Sequence, residues 1–132
     1  MYPVLHLSIV VADLDEARVF YVDLLGCAQG RVHDNWMDVW FWGLQLTLQQ
    51  RPDQLLPGEH QGGRHFGVTV EAEEFATVAS RLEGTSDVVW IARVATDHLG
   101  TPRQQTKCKV ADPSGNVIEF KTYLDSEAAL AL

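Results

Sequence analysis

Asp112-Pro113-Ser114-Gly115-Asn116-Val117-Ile118-Glu119-Phe120 is a turn signal running straight into a β-branched strand that carries one carboxylate. Pro113 fixes φ, Gly115 or Asn116 accepts a positive φ, and Val117, Ile118 and Phe120 favour extended backbone. A tight turn therefore delivers Glu119 onto a sheet face, where a buried acid is costly unless a cation meets it. The plain reading of Glu119 is an ion pair with Lys121 or Arg64, an arrangement worth little at a surface.

Outward from this stretch the chain repeats itself. Residues 4–11 read as a strand, and residues 13–25 as a helix with Leu14, Ala17, Val19, Phe20, Leu24 and Leu25 on its apolar side, closed by Gly26. Three strands follow, over residues 27–32, 36–42 and 44–49, punctuated by His33-Asp34-Asn35 and Gly43. The same order returns as a strand over 64–70, a helix over 73–82 ending before Gly84, and strands near 88–94, 105–111 and 116–123. His6 precedes Gly26 by 20 residues and His65 precedes Gly84 by 19, so each half opens with a strand histidine and closes its helix on glycine. The expected fold is α+β: two βαβββ repeats forming a curved, cleft-enclosing mixed sheet with helices on its outer face. It is a single domain with repeat one at about 3–50, a Pro- and Gly-rich linker at 51–63, repeat two at about 64–123 and a tail at 124–132.

Alternation along the strands assigns faces. Leu5, Leu7, Ile9 and Val11 form the helix-facing row of the first strand, leaving His6 and Ser8 opposite; Phe66, Val68 and Val70 leave His65, Gly67 and Thr69 opposite. Gln45 and Thr47 oppose Leu44, Leu46 and Leu48, and Val117, Glu119 and Lys121 oppose Ile118 and Phe120. Each half thus offers one histidine on its first strand and one oxygen ligand on its last, Gln45 and Glu119 being counterparts. If the halves pack as a pseudo-symmetric pair, the four side chains converge in one cleft.

Composition narrows the partners. The chain has 132 residues, 46% hydrophobic and 21% charged, enough for one real core, and its net charge of −8 with no basic stripe argues against nucleic acid. No apolar run approaches a membrane span, and the N-terminus has no basic leader, so a cytoplasmic protein is expected. Cys27 and Cys108 stand alone, without Cys-x-x-Cys spacing, and read as small buried apolar residues. Trp36, Trp40 and Trp42 share a face with Asp38, either as core or dimer packing or as an aromatic wall for a planar ligand. Residues 96–107 contain His98, Gly100, Pro102 and Arg103 and form either a mobile loop or a lid that brings Arg103 to a substrate carboxylate. His33, His60 and His98 fall in turns or loops.

The segments 5–11, 20–26, 65–68 and 112–120 carry a resemblance to the vicinal oxygen chelate superfamily, which includes glyoxalase I, extradiol dioxygenases, fosfomycin-resistance enzymes and bleomycin-resistance proteins. By that resemblance His6, His65 and Glu119 match the residues that bind a divalent metal, and Gln45 stands where glyoxalase I enzymes carry a fourth oxygen ligand, usually glutamate. An amide there coordinates through its carbonyl but accepts no proton, which leaves Glu119 as the catalytic base. Such donors suit Zn, Ni, Co, Mn or Fe(II). The implied function is a metal-dependent enzyme binding a small substrate through adjacent oxygens, a lyase or isomerase or an extradiol-type dioxygenase, with Trp40, Trp42 and Arg103 as substrate contacts. The alternative is a non-catalytic protein that sequesters a small molecule, as bleomycin-resistance proteins do. A homodimer is expected, from the resemblance and the tryptophan-rich strand.

Overall fold

A computed structural model describes residues 1–131 as two compact units. The first comprises Met1–Gly63 together with Asp112–Asn116; the second comprises Arg64–Ala111 and the chain from Val117 on.

In the first unit, β1 (His6–Val11), β2 (Ala28–Val32), β3 (Trp36–Phe41) and β4 (Leu44–Gln50) form a mixed sheet in the order β1-β4-β3-β2. β1 runs parallel to β4 and the other pairs are antiparallel. Helix α1 (Leu14–Arg18) starts at Asp13, whose side chain accepts the Glu16 N–H at 2.9 Å, and Asp15 and Glu16 complement the positive helix end. The helix expected over 13–25 runs without a break from Leu14 to Leu24, but only its first half is α-helical. From Val19 to Leu24 the chain widens into a π-helix, with bonds such as Leu25 N–H to the Phe20 carbonyl at 3.0 Å. The wider turn lets the adjacent Phe20 and Tyr21 both face inward, edge to face at 4.9 Å. They join Val11, Leu14, Ala17 and Leu25 with the alternating buried row Met37, Val39, Phe41, Leu46 and Leu48.

The linker residues 51–63 contain two short helical turns, a 3₁₀ turn at Pro52–Gln54 and α2 (Gly58–Gln61), where sequence suggested no element. Gln61 donates to the Gly115 carbonyl at 2.9 Å.

The second unit repeats the plan: β5 (Phe66–Thr69), α3 (Ala72–Glu83), β6 (Val89–Asp97), β7 (Gln105–Ala111) and β8 (Val117–Tyr123), in the order β5-β8-β7-β6. α3 packs on β8, burying Phe75, Val78, Ala79 and Leu82 at helical spacing over the same half that buries Cys108, Val110, Ile118 and Phe120. A short helix α4 (Ser126–Leu130), capped by Asp125, lies in the expected tail. β6 extends to Asp97 and breaks register between Trp90, Ala92 and Ala95, so the hairpin turn shortens to residues 98–104. Among the described residues no helix is long and apolar enough to cross a membrane.

Candidate functional site

The turn that aims Glu119 is built around one carboxylate. Asp112 Oδ1 accepts the N–H groups of Ser114 and Asn116, each at 2.9 Å, and Oδ2 accepts the Tyr21 hydroxyl at 2.7 Å and the Asn116 side-chain amide at 2.9 Å. Gly115 takes the expected positive φ, 88°. Ser114 Oγ accepts the Ala12 N–H at 2.8 Å, and Asn116 donates to the Val10 carbonyl at 2.9 Å. Burial raises the Asp112 carboxyl above its ordinary value, and the donors around it offset part of that rise. The Tyr21 hydroxyl is pushed well up, by burial first and the Asp112 charge second.

Beyond this turn β8 carries Glu119 on the face turned away from Ile118 and Phe120. Glu119 is 6% exposed, and its Oε2 lies 2.8 Å from His65 Nε2. Lys121 Nζ lies 3.7 Å from Oε1, so the expected Lys121 pairing occurs but takes only the second carboxylate oxygen. β5 begins at Phe66, placing His65 one residue ahead of the strand. His65, Phe66, Gly67, Val68, Thr69, Glu119 and Lys121 line an open pocket of about 230 Å³. Gly67 pairs with Glu119 across the strands, and a Cβ on Gly67 would fall on the Glu119 backbone carbonyl. Only glycine permits this approach.

In the first unit His6 and Gln45 are register partners, and His6 Nδ1 donates to the Gln45 backbone carbonyl at 3.1 Å. Because a carbonyl only accepts, Nδ1 is the donor here and Nε2 is the ring nitrogen left for another partner, as in many metal-binding imidazoles.

The register also corrects the equivalence of the two halves. Two residues after His6, Ser8 pairs with Thr47; two residues after His65, Gly67 pairs with Glu119. Thr47 therefore corresponds to Glu119, and Gln45 corresponds to Val117. Both Thr47 and Glu119 also stand four residues past a glycine of positive φ, Gly43 at 86° and Gly115 at 88°. Alternation alone gave Gln45 and Thr47 the same face; counting from the two glycines was the signal that distinguishes them.

Thr47 is committed elsewhere. Its hydroxyl donates to Asp38 Oδ1 at 2.6 Å, while Asp38 Oδ2 receives Arg31 Nε at 2.9 Å. Asp38 is 1% exposed, and Gly30 leaves room for it, since a Cβ there would stand 3.1 Å from the Asp38 Cβ. Arg31 lies 5.1 Å over the Trp36 ring, which also stacks on His33 at 4.2 Å. Trp36, Asp38 and Trp40 share a face, opposite Gln49, Thr47 and Gln45. Trp42 leaves that face: it occupies the β3–β4 turn with φ 45° and packs edge-on to Phe41 at 4.8 Å. Arg103 lies exposed in the β6–β7 turn and is not among the residues lining the Glu119 pocket.

Among the described residues no group of three or more His, Cys, Asp and Glu gathers within reach of one ion. The His65–Glu119 pair nevertheless fits two positions of a coordination shell. Both donors line the open pocket, and their 2.8 Å separation is that of a direct hydrogen-bonded pair. Imidazole and carboxylate are both ordinary ligands for the divalent metals named above.

The chain belongs to the glyoxalase/bleomycin resistance protein/dioxygenase superfamily, whose family model matches residues 4–120. A solved glyoxalase/bleomycin resistance protein/dioxygenase from Alicyclobacillus acidocaldarius is 29% identical, with a TM-score of 0.82 over 96% of this chain and 95% of that one. A fosfomycin resistance protein from Listeria monocytogenes shares the fold at 13% identity and TM-score 0.75, over 98% of both chains. A lactoylglutathione lyase from Agrobacterium tumefaciens does so at 16% and 0.63, over 91% of this chain and 92% of that one. A search of curated proteins found no match.

Proposed function

We propose that this chain is a divalent-metal-dependent enzyme of the vicinal oxygen chelate type that takes a small substrate through two adjacent oxygens. The observation carrying this reading is the His65–Glu119 pair, a buried carboxylate oxygen 2.8 Å from an imidazole nitrogen on the open face of the second sheet. His6, the corresponding residue of the other repeat, supplies the third ligand. Its Nδ1 is already tied to a carbonyl. Thr47 is engaged by Asp38, so Gln45, paired with His6, is the proposed fourth oxygen donor. The donor set draws on both repeats in a homodimer, and the two buried free cysteines accord with a cytoplasmic setting.

When bound, the ion supplies Lewis-acid polarisation of the substrate oxygens. The residues of the chain do the rest. Glu119 is the only carboxylate of the set, so Oε2 holds the site while Oε1, beside Lys121, exchanges protons with substrate. Trp40, 40% exposed, offers a ring wall. Trp42 and Arg103 are proposed as outer substrate contacts.

Metal analysis of the purified protein tests this. About one divalent ion per chain is expected, with His65→Ala and Glu119→Gln each retaining less than about a tenth of it. Wild-type protein without divalent metal, or His65→Ala loading as well as wild type, would sink the enzyme reading in favour of sequestration. Turnover screens with hemithioacetals, catechols and epoxides then sort lyase, dioxygenase and epoxide-opening chemistry.

A further inference from the structure

The chain contains three lysines, and all three stand on one face of the second sheet. Lys107 is the direct cross-strand partner of Lys121, and Lys109 the partner of Glu119. Alternation places them opposite the buried Cys108, Val110 and Phe120. In a chain of net charge −8 this concentration runs against the composition. It is also unfavourable in itself, because like charges directly opposite on neighbouring strands repel.

The acids on hand do not balance the group. Lys107, its side chain 38% exposed, is held by Asp97 at 2.9 Å. Lys121, 31% exposed, reaches only 3.7 Å from Glu119, whose other oxygen is taken by His65. Lys109 is half-buried and has no ion pair among the described residues; its neighbours across the sheet are Glu119 and Ala92. Lys121 thus stands at the pocket wall, and Lys109 stands on the same sheet face as the cross-strand partner of the one carboxylate there. That pocket, about 230 Å³, is smaller than the space a drug-sized ligand occupies, roughly 300–1,000 Å³.

We infer that Lys109 and Lys121 hold a small doubly charged oxyanion group of the phosphate class beside the His65–Glu119 pair. Lysine binds such groups as a point charge, which needs no fixed fork geometry. The inference rests on this face being the substrate site proposed above, and not on a metal being present. The substrate would then carry a dianionic group next to the atoms that react.

Calorimetric titration of EDTA-treated protein at pH 8 with inorganic phosphate, acetate and acetamide tests it, with metal uptake measured separately on the same preparation. Phosphate is expected to bind at least about tenfold more tightly than acetate, and acetamide not at all. Lys109→Gln should weaken phosphate at least about tenfold with an unchanged unfolding midpoint, and Lys109→Arg should stay within about threefold of wild type. Phosphate binding no tighter than acetate, or unaffected by Lys109→Gln, overturns the inference even if metal binds. Phosphate binding that is lost in Lys109→Gln, in a protein that takes up no metal, supports it and overturns the metal reading instead.

Discussion

The two sheets carry the same strand order yet treat their central carboxylate in opposite ways. In the first, Asp38 is enclosed by its partners, with Thr47 at 2.6 Å on one oxygen and Arg31 at 2.9 Å on the other. In the second, Glu119 is also buried but meets a half-exposed imidazole and a distant ammonium, at the wall of an open pocket. A buried charge surrounded by fixed hydrogen bonds stabilises a sheet; one left facing a pocket remains available to an ion or a proton. The first sheet encloses its acid, and the second leaves its acid at a pocket wall.

The sharpest way to break this contrast is at the glycine that brings β5 against β8. Gly67→Ala puts a methyl into the Glu119 backbone, so β5 must move and the His65–Glu119 distance must grow. A loss of about 3 kcal/mol or more is expected in urea unfolding, together with loss of metal. The corresponding first-repeat position, Ser8, already bears a side chain, and Ser8→Ala should cost under about 1 kcal/mol. Equal losses at the two positions would show that the second sheet has no special approach.

Next comes the pair of carboxylates. Asp38→Ala strands the Thr47 hydroxyl and the Arg31 guanidinium and should cost about 2–4 kcal/mol. Glu119→Gln should stay within about 1 kcal/mol of wild type, because it removes a buried charge while retaining the shape, yet abolish metal binding. Comparable stability losses would erase the distinction between the two acids.

The smallest effect concerns pH. Burial pushes the Cys27 thiol up to about 12 and the Cys108 thiol to about 11, from an ordinary value of 9.0. Between those values the folded protein keeps its thiol protons while the unfolded chain releases them, so stability falls as pH rises above 9. Each thiol contributes up to about 1.4 kcal/mol per pH unit. Cys27→Ala, although less stable at neutral pH, should show a shallower decline between pH 9 and 11 in urea midpoints. An unchanged slope would mean that the thiol titrates normally.

Much of this architecture is readable from residue order. The Asp112–Asn116 turn, His6 on its strand, the helix-terminating glycines and the buried rows Met37-Val39-Phe41 and Ile118-Phe120 lie where local chemistry places them, whereas His65 stands just ahead of its strand and Leu5 and Val19 of the expected apolar rows are exposed. What escaped depends on contacts between distant residues. The π-helical stretch Val19–Leu24 admits Tyr21 to an acceptor 91 residues away, which no local pattern announces. The Asp38 network depends on which residues of β2, β3 and β4 come opposite one another, and alternation fixes faces without fixing register. Trp42 left its strand because the tight β3–β4 turn needed positive φ at Trp42 as well as at Gly43. Lysine placement was legible in principle, since three lysines within residues 107–121 fall on matching parity, but only the pairing of β7 with β8 makes them neighbours.

The turn at Asp112–Asn116 belongs to the first compact unit although the strands on either side of it belong to the second. Its Asp112 is the acceptor for Tyr21, and its Asn116 and Ser114 bond Val10 and Ala12. A gene cut at the linker would therefore not yield two self-sufficient modules. The N-terminal fragment would enclose a tyrosine hydroxyl without its partner, and the C-terminal fragment would carry a loop shaped for a surface it no longer has. Whatever its ancestry by duplication, the chain has become indivisible at its obvious seam, and its halves can diverge in chemistry without being able to part.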